Sequence, residues 1–257
     1  MSVAKNKSSR RGIFLLPNLF TTAALFAGFY SIVAAIDGNF QNAGASIFVA
    51  MILDGMDGRV ARLTNTTTAF GKEYDSLSDM VSFGLAPAVV VYQWGVARLT
   101  EWNFAWGRAG WLVAFLFAVA AALRLARFNA QSPGTNKRFF VGLPSPSAAA
   151  LVAAFVWFSS EMQLAGLGGL ALAFIITATA GALMVSRFRY YSFKEVHLGR
   201  RIPFRYLIGI VLIFILISVD PPTVFLSLFC AYAASGPIYW LWRRRRVRAA
   251  GGADDAG

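Results

Sequence analysis

The sequence predicts an all-α, polytopic integral membrane bundle of about eight transmembrane helices, with both termini cytoplasmic. Three observations predict it. Apolar runs near the ~20 residues that a spanning helix needs recur along nearly the whole chain. Hydrophobic residues make up 57% of the sequence and charged residues only 14%, with a mean hydropathy of +0.57. The basic residues fall almost entirely on one side of the alternating segments. Soluble domains carry about 25% charged residues, so an ordinary water-soluble enzyme and a disordered chain are both excluded. The net charge of +12 suits either nucleic acid or a membrane surface. A basic nucleic-acid-binding domain does not bring long apolar runs with it, so membrane lipids are the expected partner and nucleic acid is not.

The spans are expected near residues 14–36, 43–62, 77–97, 110–127, 146–164, 166–186, 205–219 and 223–242. Arg10 and Arg11 precede the first, but its apolar run exceeds the roughly 7–15 residues of a signal-peptide core, so it reads as an anchor. The fifth and sixth meet tightly at Glu161-Met162-Gln163, and Pro221-Pro222 separates the last two. Numbered alternately from inside, the segments between spans place every Lys and Arg except Arg98 and Arg108 on the inner side. The excess of positive charge marks that side as the cytoplasm and supports the count of eight. The outer loops are short: Asp37-Gly38-Asn39, residues 102–108, Glu161 and Asp220.

Residues 1–13 form a basic cytoplasmic segment, 14–186 a helical core, 187–242 a basic interfacial segment with two further helices, and 243–257 a basic tail expected to be disordered. Between 187 and 205, basic residues mix with Phe188, Tyr190, Tyr191, Phe193 and Phe204. That pattern suits either a segment lying on an anionic leaflet or a plain topogenic loop. The sequon at Asn65 falls on the cytoplasmic side and carries no weight.

Two scarce residue types narrow the chemistry. Cys230 is the single cysteine and His197 the single histidine, the latter in a basic stretch with Lys194, Arg200 and Arg201. One cysteine allows no internal disulfide, and a Ser-His-Asp triad or a His-rich zinc site is hard to build around a lone histidine in a basic stretch. If the protein is an enzyme, carboxylates are the expected acid–base groups.

The carboxylates are clustered. Of 12 acidic residues, Asp54, Asp57, Glu73, Asp75 and Asp79 lie within one short stretch. Asp54 and Asp57 are three apart at the inner end of the second span, and Asp75 and Asp79 four apart at the start of the third. Three- and four-residue steps share a helix face, so two neighbouring helices turn four carboxylates toward each other near the cytoplasmic interface. Acidic groups in or at the ends of spans are costly and mark function. Arg59 and Arg62 compensate some of the charge, and divalent cations would compensate the rest. Oxygen-only ligands suit hard ions such as Mg²⁺, Mn²⁺ or Ca²⁺, and a pair of such ions is a clamp for a pyrophosphate. Gly55, Gly58 and Gly71 leave room for a phosphate or sugar near the backbone.

The run from Asp54 through Gly58, Ala61, Arg62, Gly71 and Asp75 to Asp79 resembles the CDP-alcohol phosphotransferase signature, D-x2-D-G-x2-A-R-x8-G-x3-D-x3-D, at every fixed position. The resemblance implies the roles. Asp54, Asp57 and Asp75 would hold one divalent ion, Mg²⁺ or Mn²⁺, and Asp79 would help hold a second. Asp54, Gly58, Ala61, Arg62, Gly71 and Asp75 would form the CDP pocket. Asp79 would be the general base on the acceptor alcohol.

Further stretches resemble the serine-accepting bacterial branch of the family: Pro17-Asn18-Leu19-Phe20-Thr21, the run from Ser78 to Pro87, Arg124-Leu125-Ala126-Arg127-Phe128-Asn129, and Gly142-Leu143-Pro144-Ser145-Pro146. They imply CDP-diacylglycerol as donor and L-serine as acceptor, with CMP released. Arg124 and Arg127 are either ligands for the serine carboxylate or the lipid phosphate, or ordinary inner-side anchors. Asn18 and Thr21 either touch the substrate or cap the first span. Asn129 and Ser145 are weaker candidates of the same kind. Ala23, Ala27 and Gly28 would permit close helix contact in a homodimer. Two rivals stand beside this reading: another acceptor, glycerol 3-phosphate or inositol, and a cation transporter.

Overall fold

A computed structural model describes residues 8–64, 66–101, 104–130, 139–164, 166–191 and 204–254. His197, Lys137, Arg138, Asn65 and the part of the basic interfacial segment from 192 to 203 lie outside the described residues, as do residues 1–7 and 255–257.

The chain is mostly helical. Helix α1 spans Ser8–Ile36 and α2 Phe40–Leu63. They form an antiparallel hairpin about the Asp37-Gly38-Asn39 turn, where Gly38 takes a φ of 76° and the Asn39 side chain accepts from the Asn42 amide. Ser31 Oγ donates to Ala43 O at 2.7 Å across the hairpin. Among the described residues, four stretches are long and apolar enough to cross a membrane: Leu16–Ile36, Trp106–Asn129, Leu167–Val185 and Pro221–Arg244. Large apolar side chains such as Phe26, Phe29, Leu112, Phe115, Ile175 and Phe214 stay exposed. A water-soluble protein does not tolerate so much outward apolar surface, whereas lipid does.

The third predicted span is not one regular helix. Helix α3 covers Ala69–Asp79, a π-helical turn comes next at Met80–Leu85, and α4 covers Ala86–Trp94. A π-turn admits one extra residue and rotates the helix beyond it, and such turns gather at functional sites. Here it begins immediately after Asp79. Its close packing depends on Gly28 of α1, where a Cβ would lie 2.7 Å from Ser82 Cα. Ala27 and Gly28 are buried within the chain, so these small residues serve contact between α1 and the π-turn of the same molecule. That removes the sequence argument that gave them to a dimer.

A 3-10 turn at Val96–Glu101 leads to α5, Phe104–Asn129. Residues 104–108, expected in a loop, are thus its first turns. Helix α6, Ser145–Glu161, is the centre of the bundle, buried on nearly every face from 148 to 156. Its alanines let neighbours approach: a Cβ on Gly44 of α2 would meet Ala153 O at 3.1 Å. Helix α7 spans Leu167–Val185, α8 Phe204–Val219 and α9 Pro221–Asp254. Asp220 accepts from the Thr223 amide, and Pro221 and Pro222 open α9 where missing N–H groups cost nothing. α9 packs on the core through Phe48 and Phe225, whose rings stack at 4.2 Å. It runs on through the arginines to Asp254, where the sequence predicts a disordered tail from 243. Arg and Ala are strong helix formers and the helix is already nucleated.

The bundle is not purely α. Phe139–Val141 (β1) and Arg189–Tyr191 (β2) pair antiparallel, Phe140 opposite Tyr190. Both are short aromatic-rich runs with strand propensity. Gly142, at φ 84°, turns the chain into α6, with its amide bonded to Phe188 O at 2.8 Å. The pair brings the α5–α6 and α7–α8 connections to the same end of the bundle.

Candidate active site

The acidic residues come from two adjacent segments. Asp54 and Asp57 lie one helical turn apart on α2, and Asp75 and Asp79 one turn apart on α3. One carboxylate oxygen from each of Asp54, Asp57 and Asp75 falls within 4.8 Å of the others. Glu73 is exposed and outside this group. Helix α3 starts at Thr68, whose hydroxyl accepts from the Gly71 amide at 2.9 Å. That cap sets the phase that turns Asp75 toward α2.

Helix α1 braces both acidic segments. Thr21 is buried, and its Oγ1 donates to Asp57 Oδ2 at 2.7 Å. The backbone of the same helix accepts from the other side: Ser78 Oγ donates to Thr21 O and Ser82 Oγ to Ala24 O, each at 3.2 Å. Thr22 and Tyr74 share a 2.9 Å hydroxyl contact. The serines sit four apart, so one face of the α3–π segment is stitched to α1 while Asp75 and Asp79 remain on the face toward α2.

The electrostatics call for a cation. Asp75 precedes the third predicted span; burial, followed by the charges of Asp57 and Asp54, pushes its carboxyl up to about 7. Asp75 Oδ1 and Asp79 Oδ1 are buried with no hydrogen-bond partner. Orphaned buried acceptors are costly, and a cation satisfies them. The cluster offers oxygen alone, since Cys230 is exposed on α9 and no other thiol exists. The donor set therefore fits a hard divalent ion.

The glycines differ in what they do. A Cβ on Gly71 would press on Thr68 Oγ1 at 3.1 Å and on Asn18 Oδ1 at 3.3 Å, so Gly71 is where α3 meets Asn18 of α1. A Cβ on Gly58 would lie 3.6 Å from Arg62 Nη1, because the exposed Arg62 side chain folds back beside it. Nothing crowds Gly55. Ala61 is half-buried between these groups along α2.

Helix α5 contributes at its C-terminal end. Arg124 is partly buried, its Nη1 donates to Ser145 Oγ at 2.6 Å, and its buried Nε has no hydrogen-bond partner. Asp79 and Tyr232 are its electrostatic neighbours. Arg127 is exposed. Asn129 Nδ2 donates to Ser76 Oγ at 2.9 Å, tying α5 to α3 between Asp75 and Asp79. Thus Thr21 bonds to Asp57, Arg124 lies in the field of Asp79, Asn18 and Asn129 meet α3 at Gly71 and Ser76, and Arg127 is exposed. The sequence reading gave no role to Ser76, Ser78, Ser82, Tyr74 or Tyr232. The four-residue spacing of Ser78 and Ser82 was a visible signal for a shared face; Tyr232 lies far along the chain and had none.

Residues 14–186 match the family model described as CDP-alcohol phosphatidyltransferase. A Helicobacter pylori protein named CDP-diacylglycerol–serine O-phosphatidyltransferase is 39% identical over 232 residues, covering 90% of this chain and 92% of its own. A Mycobacterium tuberculosis protein of the same name is 44% identical over 147 residues, 54% of this chain and 49% of its own. An archaetidylserine synthase from Methanothermobacter thermautotrophicus is 36% identical over 179 residues, 68% of this chain and 69% of its own. With its signature aspartates gathered on two braced helices and the match covering most of its length, the chain belongs to the CDP-alcohol phosphatidyltransferase family.

Proposed function

We propose that the protein is a phosphatidylserine synthase, transferring the phosphatidyl group of CDP-diacylglycerol to the hydroxyl of L-serine and releasing CMP. The observation that carries the chemistry is the convergence of Asp54, Asp57 and Asp75 on one locus with Asp79 a turn away. The names of the similar proteins support serine as the acceptor.

Asp54, Asp57 and Asp75 would hold one divalent ion and Asp79 would help hold a second. Two bound cations, Mg²⁺ or Mn²⁺, would neutralise the pyrophosphate and the charge that develops on it. Gly58 and Gly71 keep the floor of the CDP pocket low, Ala61 leaves its wall smooth, and Arg62 reaches the phosphates from the rim. Asp79 takes the proton of the serine hydroxyl as general base. The serine oxygen then bonds to the lipid-side phosphorus as the bond to the CMP oxygen breaks, in one in-line displacement. Arg124, held by Ser145 beside Asp79, orients the serine carboxylate. Thr21, Asn18 and Asn129 keep the three helices in register.

We also propose eight spans, both termini cytoplasmic, in the bacterial inner membrane with the site open to the cytoplasm. The one-sided distribution of Lys and Arg supports this. A homodimer would have to use an outward face, since Ala27 and Gly28 are occupied within the chain.

The test is product analysis. Purified protein with CDP-diacylglycerol, Mg²⁺ or Mn²⁺ and a panel of alcohols should make phosphatidylserine from L-serine. Lipid formed from glycerol 3-phosphate or inositol, with none from serine, would reject the acceptor. Ion uptake by proteoliposomes without lipid turnover would reject the chemistry.

A further inference from the structure

Outside the acidic residues, Arg187, Arg189, Tyr239, Trp240 and Arg243 line an open groove. Its two sides come from sequence positions some fifty residues apart, and their meeting is built rather than incidental. On β2 the side chains alternate: Tyr190 is buried while Arg189 is exposed, and Arg187 lies two residues earlier, in phase with Arg189. Tyr190 anchors the strand to α9. Its hydroxyl donates to Ala233 O at 3.0 Å, and its ring fills the notch at Gly236, where a Cβ would collide with the ring. Tyr232 adds a hydroxyl bond to Tyr191 O at 3.2 Å. On α9, Tyr239, Trp240 and Arg243 share one face by three- and four-residue spacing.

Trp240 is fixed in turn. Phe188 meets it edge-on at 5.8 Å, and the Arg244 guanidinium covers it at 5.1 Å. Three arginines thus converge around a held indole and a phenol. Arginine forks match phosphate oxygens, and Trp and Tyr favour the headgroup level of a bilayer. Each of the three arginines is exposed, so none is spent on the core.

We propose that this groove binds the headgroup phosphate of an anionic phospholipid, at residues separate from the acidic cluster. The assignment does not depend on which alcohol the enzyme uses. It differs from general attraction between a basic tail and an anionic leaflet, because shape as well as charge is required.

The full chain, purified in detergent with equimolar phosphatidylglycerol and phosphatidylcholine, is assayed by native mass spectrometry for retained lipid. Wild type should retain phosphatidylglycerol preferentially. Arg187→Gln and Arg189→Gln should each lower that retention by about fivefold, the effect of one arginine near a charged surface. Trp240→Ala, which leaves net charge unchanged, should lower it comparably without changing phosphatidylcholine retention. Melting temperature and Mn²⁺ affinity serve as folding controls. Should Trp240→Ala fail them, the two exposed strand variants carry the test. Equal retention of both lipids by wild type, or wild-type retention in the strand variants, would overturn the proposal. Wild-type retention in a folded Trp240→Ala would show charge attraction alone and also overturn it. Displacement of the lipid by inorganic phosphate alone would assign the groove to the free anion instead.

Discussion

Thr21 Oγ1 donates a 2.7 Å hydrogen bond to Asp57 Oδ2 across 36 positions of sequence, binding the first helix to the acidic face of the second. The carboxylate is thereby oriented before any ion arrives. Groups behind a metal ligand fix its direction, and their loss typically costs about 10–100-fold in metal affinity. Thr21→Val, which keeps the shape and removes the donor, should weaken Mn²⁺ binding by that order. Thr21→Ser should restore most of it. Mn²⁺ titration of the purified variants checks both.

Ser145 and Arg124 form the corresponding pair on the acceptor side. Arg124→Gln removes a charge-assisted contact worth about 1.5–3 kcal/mol, so the KM for serine should rise roughly ten- to hundredfold. Ser145→Ala leaves the charge and loses only its anchor, so a smaller rise is expected. The KM for CDP-diacylglycerol should move little in either. Steady-state kinetics with each substrate varied in turn separates the two.

Gly28 tests the packing of the π-turn. A side chain there meets Ser82 through its Cα and Cβ, on backbone that cannot swing away. Gly28→Val should destabilise the fold by about 1–3 kcal/mol through overpacking. It should also displace Asp79, which sits at the start of the turn, and so lower turnover. Thermal unfolding in detergent and turnover at a permissive temperature check the two effects.

Removal of divalent ions should stop turnover reversibly. Chelation leaves clustered buried carboxylates without compensation, so the melting temperature should fall as activity does, and Mg²⁺ or Mn²⁺ should restore both. Loss of activity with no change in melting temperature would separate the acidic group from ion binding.

The acidic site was legible because its signals are local. Asp54 and Asp57, and Asp75 and Asp79, are each within one helical turn, and their spacing alone puts each pair on one face. The apolar runs likewise placed α1, α2, α5, α6, α7 and α8 within a few residues of their ends. The features that escaped were set by tertiary contact. The π-turn at Met80–Leu85 depends on the fit of Ser82 against Gly28, two positions with nothing unusual in their own neighbourhoods. The pairing of Phe140 with Tyr190 joins two loops that carry no turn signal between them. Tyr232 reaches Arg124 only because α9 folds back over the bundle. The arginines of the tail read as disorder in isolation, yet continue α9, because helix propensity acts once packing has started the helix.

Serine-dependent CMP release from CDP-diacylglycerol by Asp79→Asn, measured beside Mn²⁺-dependent binding of the same nucleotide lipid, tests whether the carboxylates of α2 and α3 transfer the phosphatidyl group with Asp79 receiving the proton. The rate should fall by about 10²–10⁴, the usual worth of a general base, with binding retained in part. Turnover close to wild type in this variant would show that Asp79 does not receive the proton.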